Sequence, residues 1–453
     1  MDELSLLKPL RHIIFPGLCD PDKLTTTLSG PKQATPPNNT AEALIVRFLP
    51  SKPILPQQER TFMKDTECQR TEEHPSLIHL FASFLRLGTT AFGGPAMIAY
   101  IRKMAVDQKR WLDEKTARDG IALCQAIPGA TAMQMSAYVG LRAKGVAGAA
   151  ASFIGFGLPA FLFMTILSAL YVQAHKLPAV ISAFNGLQAI IVAVVANATV
   201  SFGRGSLKNW KNLLNIMIAA GMFGLGMGPI LVILVAALFG LLLYPGQPSL
   251  LLASASNGSY LRKSLTLILA CIISGLVLLL SVNRRLFDLA VLMFKIDLLA
   301  FGGGFSSVPL MFYEIVEVRS WLDGPTLLNG IALGQVTPGP IVITATFIGY
   351  LLYGFLGGLV ATVSVFLPSF IIVITLVPHF DRIRNSPYFS RVLTGILCSF
   401  VGLLFTVTIR FALNIPWDLP RLFITLGAFI ALLKKVDILW VVLIGTGISL
   451  VVL

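Results

Sequence analysis

Long apolar runs separated by short polar segments fill the chain from residue 76 to the C-terminus. A hydrocarbon core of about 30 Å needs roughly 20 helical residues, and most of these runs are long enough. They lack the strict alternation of a transmembrane barrel strand. The pattern therefore predicts an all-α polytopic membrane protein. The runs are 76–101, 116–141, 145–173, 178–203, 212–227, 228–245, 264–282, 286–316, 325–353, 355–378, 389–413, 419–433 and 436–453.

The first 75 residues have a different pattern. They contain SGPKQATPPNNT and LPSKPILPQQER, which are rich in Pro, Thr, Asn and Gln. Such a segment buries too little apolar area to fold alone, so residues 1–75 are predicted to be a disordered tail. The stretch LSLLKPLRHIIFPGL is interrupted by lysine, arginine and proline, which argues against a signal peptide.

The remainder of the chain is an internal repeat. WLDEKTARDGIALCQAIPG at 111–129 matches WLDGPTLLNGIALGQVTPG at 321–339 in 11 of 19 positions. The repeat predicts two homologous halves, 76–246 and 286–453. A connector, 247–285, joins them and contains one further apolar run.

The two halves are expected to point in opposite directions. Seven apolar runs separate the start of one copy from the start of the other, and an odd number of crossings inverts the second copy. Residues 102–118 hold six Lys and Arg, whereas the equivalent 314–325 hold only Arg319. Since cytoplasmic loops are enriched in basic residues, this difference favours opposite faces of the membrane. A re-entrant 116–141 segment would change the count.

Three interruptions recur in both halves: AFGGP with AFGGG, QAIPGA with QVTPGP, and GLP with FLP. Inverted repeats with discontinuous helices are typical of secondary transporters, which bind substrate at the breaks. The alternative is kinking and close glycine packing between helices. Repetition of two different breaks favours a binding site. The candidate substrate-binding residues at the breaks are Gly93, Gly94, Gln125, Pro128, Gly129, Gly302, Gly303, Gln335, Pro338 and Gly339.

Two cations occupy equivalent positions inside apolar runs. Arg86 and Lys295 lie nine or ten residues into their runs, about 15 Å deep in a straight helix. A cation at that depth usually faces a cavity or a partner, and two of them would suit a small dianion. The alternatives are snorkelling, or an ion pair between Lys295 and Asp297. Asp297 and Glu314 are the candidate coupling residues for proton movement.

Charge and motif content narrow the function class. The net charge is +13, and the tail contributes −1 of it, so the excess lies in the membrane region. Positive-inside loops account for such an excess, and attraction of anions would add to it. Five scattered cysteines and five dispersed histidines predict no metal site, and no nucleic-acid partner is expected. Because enzyme and ATP-binding motifs are missing, the sequence predicts neither an enzyme nor a cofactor.

Several segments in order are similar to one known family. FLRLGTTAFGGPAMIAYI at 84–101, LCQAIPGATAMQMSAYVGLRAKG at 123–145 and GQVTPGPIVITATFIGY at 334–350 resemble the chromate ion transporter family. The resemblance covers nearly all of 76–453 and matches the long-chain, two-domain form. It implies a secondary transporter that exports chromate from the cytoplasm, with sulfate as the related oxyanion and two oppositely oriented halves.

The resemblance also implies which positions of this sequence correspond to the family's motifs. The family's FGGP motif falls on Phe92, Gly93, Gly94 and Pro95, and its preceding basic residue falls on Arg86. Its PGP motif is intact at Pro338, Gly339 and Pro340. Ala130 replaces the last proline in the first copy, and Gly304 replaces the proline of the second FGGP copy.

The sequence thus predicts a multi-pass oxyanion transporter of the inner or plasma membrane. Chromate or sulfate would move by proton- or anion-coupled alternating access, as in an antiporter that confers chromate resistance. A homodimer is one assembly compatible with this prediction. The alternatives are a passive anion channel and a non-transporting membrane scaffold, and an enzyme would require an unrecognised acid–base pair.

Overall fold

The computed structural model describes residues 75–92, 96–174, 177–244, 259–377 and 386–453. These ranges form fifteen α-helices and no strand. The first repeat contains α1 Leu77–Thr90, α2 Ala96–Arg102, α3 Glu114–Ala126, α4 Thr131–Ala174, α5 Pro178–Ser206, α6 Trp210–Gly224 and α7 Pro229–Leu243. The connector contains α8 Ser259–Val282. The second repeat contains α9 Arg284–Leu299, α10 Ser307–Phe312, α11 Gly324–Val336, α12 Thr344–Leu376, α13 Pro387–Leu413, α14 Leu419–Leu433 and α15 Ile438–Val452.

Each repeat holds the same seven helices in the same order. Helices α5, α6 and α7 begin 209 positions before α13, α14 and α15. Short π-helical segments, Lys103–Gln108 and Tyr313–Val318, follow α2 and α10 at an offset of 210. The prediction of two homologous halves is therefore confirmed. The predicted tail, apart from Pro75, lies outside the described residues.

The first two helices of each repeat form a hairpin, not a crossing. Lys109 Nζ lies 3.2 Å from His79 Nε2, and the ring of Trp111 stacks on Phe84 with centroids 6.4 Å apart. These contacts join the end of the hairpin to its beginning, so the chain turns back between α1 and α2. The expectation that 76–101 crosses the membrane is wrong, because its first helix ends after 14 residues, fewer than a crossing needs.

Helix α3 and the first part of α4 form a second hairpin. Tyr138 Oη donates a hydrogen bond of 3.0 Å to the carbonyl of Thr116, and its ring lies against Gly120. In the second repeat Phe347 lies against Gly330 in the same way. The 116–141 segment is therefore re-entrant, with the Pro-Gly break at its tip. Asp113 and Asp323 each cap the helix that follows, since their carboxylates accept hydrogen bonds from the N–H groups of Thr116 and Thr326.

A sharp turn divides α4, and an equivalent turn divides α12. Gly145 has φ +64° and Gly354 has φ +63°, a region that favours glycine. On either side of the turn the two helix arms touch: a Cβ on Gly140 would overlap the carbonyl of Gly148. Beyond the turns the helices continue unbroken through Pro159 and Pro368. The expected third interruption at GLP and FLP is therefore absent.

Four helical segments are long and apolar enough to cross a bilayer: Thr131–Ala174, Pro178–Ser206, Ile341–Leu376 and Tyr388–Leu413. Hairpins return to the side where they started, and the short helices α6 and α7 come as a pair. Between the two repeat starts these spans are α4 and α5, and opposite orientation of the repeats requires the 24-residue connector helix α8 to be a third crossing.

Candidate functional site

The breaks of the two repeats meet through crossed hydrogen bonds. We call Pro128–Gly129–Ala130 the first tip and Pro338–Gly339–Pro340 the second tip. The N–H of Gly129 donates to the carbonyl of Ala300 over 2.8 Å, and the N–H of Gly339 donates to the carbonyl of Ala91 over 3.0 Å. Each tip thus binds the glycine break of the opposite repeat. The structure brings these predicted breaks together, while Gly93 and Gly94 lie outside the described residues.

The glycines of the breaks are required by backbone conformation and by close approach. Gly129 and Gly339 have φ +119° and +117°, and Gly302 and Gly303 have +89° and +96°. Residues with a Cβ are strained in this region. A Cβ on Gly129 would also overlap the hydroxyl of Ser369. The repeated glycines therefore let the two repeats approach each other at their centre.

A cavity of about 400 Å³ lies beside these breaks and is lined by both repeats. Of the predicted site residues, Gln125, Gly302 and Gly303 line it. No lining side chain is ionisable. The polar side chains of this central cavity belong to Gln125, Thr131, Ser201, Ser206 and Ser306. Neither Gly302 nor Gly303 has an acceptor for its N–H within the described ranges.

Other predicted residues lie behind the central cavity. Pro128, Gly129, Pro338 and Gly339 form the packed tips. Gln335 is buried, and its Nε2 has no hydrogen-bond partner in the part of the chain that the structure describes. These residues support the cavity wall and do not face its interior.

A second, basic cavity of about 540 Å³ lies within the first hairpin. Within the described part of the chain its cations are Arg86, Lys103 and Lys109, and no acidic side chain lines it. Within the described ranges Arg86 has no ion pair. His79, Ser83, Thr90 and Tyr100 add polar groups to its wall. Sequence reasoning found Arg86 but missed both lysines, because only the hairpin fold brings them to the same cavity.

Lys295, at the position equivalent to Arg86, has a different environment. Its Nζ lies 2.6 Å from Glu314 Oε1, and Arg319 pairs with the other oxygen of the same carboxylate. The expected convergence of Arg86 and Lys295 on one anion is not observed, because the cavity that Arg86 lines does not include Lys295. The alternative ion pair with Asp297 is also not formed. Glu314 engages both neighbouring cations.

Asp297 is fully buried and contacts the hydroxyl and the N–H of Ser369, at 2.7 and 3.1 Å from its Oδ2. No cation pairs with it among the described residues. Sequence reasoning missed Ser369, which lies 72 positions away on α12. No sequence signal singles out this serine.

Two repeats of re-entrant hairpins, each tip bound to the glycine break of the opposite repeat beside a cavity, are an arrangement typical of membrane transporters. The family model for chromate transporters matches the chain twice, at residues 78–241 and 287–450, which lie within the two predicted repeats. The chain belongs to the chromate transporter family, whose members are transporters and not enzymes.

Relatives cover most of the chain. An uncharacterized transporter of Methanocaldococcus jannaschii is 42% identical over 383 residues, which is 84% of this chain and 95% of the relative. A chromate transport protein of Pseudomonas aeruginosa is 31% identical over 78% of this chain and 85% of its own. One of Cupriavidus metallidurans is 28% identical over 79% of this chain and 88% of its own. No solved structure gives a significant match.

Proposed function

We propose that this protein is a secondary transporter that exports chromate, or the related dianion sulfate, from the cytoplasm across the cell membrane. Family membership supports the transport of an oxyanion, and two relatives are named chromate transport proteins. The observation that carries the proposal is the basic cavity, in which three cations face no acid. Such a cavity concentrates anions at one end of the transport path.

Arg86 is the proposed recognition residue of the basic cavity. A guanidinium group offers parallel N–H donors that match two oxygens of an oxyanion, and Lys103 and Lys109 add charge. Arg86 is exposed to the cavity, so an anion can reach it from water. Lys295, held by Glu314, is not part of this recognition group.

The central cavity is the proposed second binding site for the anion on the transport path. Helix α2 contributes Met97 and Ile98 to the central cavity and Tyr100 to the basic cavity, and Lys103 follows it directly. One short helix thus adjoins both cavities. In the central cavity the anion would accept hydrogen bonds from Gln125, the hydroxyl groups and the free N–H groups of Gly302 and Gly303. Neutral donors hold an anion without binding it so tightly that it cannot leave.

The direction of transport follows from the charge of the loops. The segment 102–118, which carries six Lys and Arg, adjoins the basic cavity, and the positive-inside rule places it in the cytoplasm. Anions would therefore be collected from the cytoplasm, as an efflux antiporter of a chromate-resistance system requires. Movement of one repeat against the other would then open the opposite side. Asp297 and Glu314 are the proposed coupling residues for protons, and anion exchange is the other coupling mode.

Flux into proteoliposomes tests the proposal. Radiolabelled chromate and sulfate uptake should saturate with substrate and respond to an imposed pH or sulfate gradient. Arg86→Ala should reduce this flux at least about tenfold, since it removes the charge-assisted hydrogen bonds. Arg118→Ala is the matched control, because Arg118 is an exposed cation outside both cavities. Unsaturable, gradient-insensitive flux would indicate a channel, and absence of flux would indicate a scaffold.

A further inference from the structure

The first tip is connected to a buried carboxyl group of the second repeat. The N–H of Ala130 donates to Ser369 Oγ over 2.8 Å. The Ser369 hydroxyl in turn donates to Asp297 Oδ2 over 2.7 Å, and the Ser369 N–H donates to the same oxygen over 3.1 Å. One serine thus links the carboxyl group directly to the tip.

The second tip has no such connection, although it packs in the same way. A Cβ on Gly339 would lie 2.7 Å from the Cβ of Ala160, just as one on Gly129 would meet Ser369. Proline supplies no N–H, alanine no hydroxyl and glycine no carboxyl group. The equivalent positions in the two repeats are Ala130 and Pro340, Ser369 and Ala160, and Asp297 and Gly88. In each pair the first residue carries the group that the second lacks. The N–H, the hydroxyl and the carboxyl group are therefore all present at the first tip, and all three are missing at the second tip.

Among the residues that the structure describes, no counter-ion faces Asp297. On its own helix Lys295 is engaged by Glu314. Helices α10 and α12, packed against α9, contain no charged residue, and α12 has only Tyr350 and Tyr353 as titratable groups. Helix α8 carries Arg262 and Lys263 in its first turns, and α4 carries Arg142 and Lys144 at its turn, 12 and 14 positions beyond Ala130.

The position of the first tip and the protonation of Asp297 therefore influence each other. We call the tip docked when it is bound to Ser369, as in this structure. The docked tip contributes to burying this carboxyl group completely, and its Oδ1 has no hydrogen-bond partner among the described residues. Burying a carboxylate without a counter-ion costs more than burying the neutral acid. Proton binding therefore favours the docked tip, and withdrawal of the tip, which admits water, favours proton release.

We propose that Asp297, Ser369 and the N–H of Ala130 form a proton-operated latch that acts on the first tip alone. This inference rests on the proposed transport function. A proton from water forms an O–H bond at the Asp297 carboxylate when the tip docks. It returns to water when the tip leaves, and no bond of the transported anion changes. The latch also explains why Ala130 replaces the last proline of the PGP motif, because proline could not donate to Ser369.

The test uses the full-length protein in liposomes with labelled sulfate. In the wild type, an imposed pH gradient should change net sulfate flux about fivefold or more, with matching proton movement. Asp297→Asn should lose both responses. Sulfate counterflow, which needs no net proton movement, should continue in this variant because Asp297 does not line either cavity.

A matched pair of tip variants isolates the latch. Ala130→Pro removes the donated N–H and should reduce the pH response, whereas Pro340→Ala restores an N–H that has no hydroxyl to meet and should not. If Asp297→Asn fails to assemble, Ser369→Ala serves in its place. Equal pH responses in the wild type and Asp297→Asn, or sulfate flux without any pH response, would overturn the latch and leave the transport proposal standing. Absence of any oxyanion flux would overturn both.

Discussion

The hairpin of α1 and α2 and the hairpin of α9 and α10 share one fold and differ in charge. In the first, Arg86 and two lysines surround a cavity with no acid. In the second, Lys295 and Arg319 are both paired with Glu314. The position equivalent to Glu314 is occupied by Met104, at an offset of 210. Two differences therefore distinguish the hairpins: Met104 stands where the second has Glu314, and Lys103 stands where it has Tyr313.

This comparison shows how an inverted repeat can serve directional transport. Two identical halves would recruit anions equally from both sides of the membrane. Neutralising the cations of one hairpin leaves a single basic cavity, at the end that the loop charges assign to the cytoplasm. Under the proposed function, the shared backbone would supply the alternating geometry and the unequal side chains would supply the direction.

The largest expected effect concerns the scaffold that both repeats share. Gly140→Ala and Gly349→Ala should each destabilise the protein by about 3 kcal/mol, because the new Cβ overlaps the carbonyl of Gly148 or Gly357. Gly221→Ala is the control, since Gly221 is helical and has open space around it. Thermal unfolding in detergent measures the difference. A loss confined to one repeat would contradict the equivalence of the two hairpin scaffolds.

The next effect separates structural from functional charge. Glu314→Gln leaves Lys295 and Arg319 without their acid and should cost about 2 kcal/mol of stability, because this carboxylate is only 10% exposed. Glu114→Gln in the first repeat should leave stability nearly unchanged, since its ion pairs are accessible to solvent. Chemical unfolding compares the two variants, and equal losses would remove the distinction.

A smaller effect compares the equivalent cations directly. Arg86→Gln should raise the KM for sulfate about tenfold, or about 1.4 kcal/mol, without lowering the unfolding temperature. Lys295→Gln should lower stability and change KM less than about twofold, since its charge is already paired. Concentration-dependent flux in liposomes gives both constants. Equal KM shifts would restore the original expectation that the two cations bind one anion.

The smallest effect should be the same in both repeats. Gly145→Ala and Gly354→Ala place a Cβ at φ +64° and +63°, where nothing lies within 4 Å. Only backbone strain remains, so each change should cost about 1 kcal/mol. Thermal unfolding of the two variants checks this, and a much larger loss in one would show that its turn has a second role.

Much of the fold is encoded locally and was predictable. The 11 matching positions revealed the repeat, the glycine break at Gly302 and Gly303 and both Pro-Gly breaks were located correctly, and Asp113 and Asp323 cap their helices. Each of these signals lies within a few residues of the feature that it predicts. The local sequence pattern therefore predicted where helices and breaks lie, but not whether a helix crosses the membrane. A run of 26 apolar residues can cross a bilayer or fold back.

The candidate site was predictable only in part. Arg86, Gln125, Gly302 and Gly303 line cavities, whereas Lys295 pairs with Glu314 and not with Asp297, the partner that one alternative offered. Glu314 lies 19 positions away and reaches Lys295 only because the second hairpin folds back. The roles of the predicted site residues, the coupling ion and the homodimer stay predictions.

The exchange of one side chain tests the central claim most directly. Met104→Glu places the acid of the second hairpin among the cations of the basic cavity, without removing any of them. Met104→Gln is the uncharged control of the same size. The account predicts that the glutamate variant has a KM for sulfate or chromate at least about ten times that of the glutamine variant, with both proteins folded. Equal KM values would contradict the claim that the unpaired cations of the first hairpin recruit the transported anion.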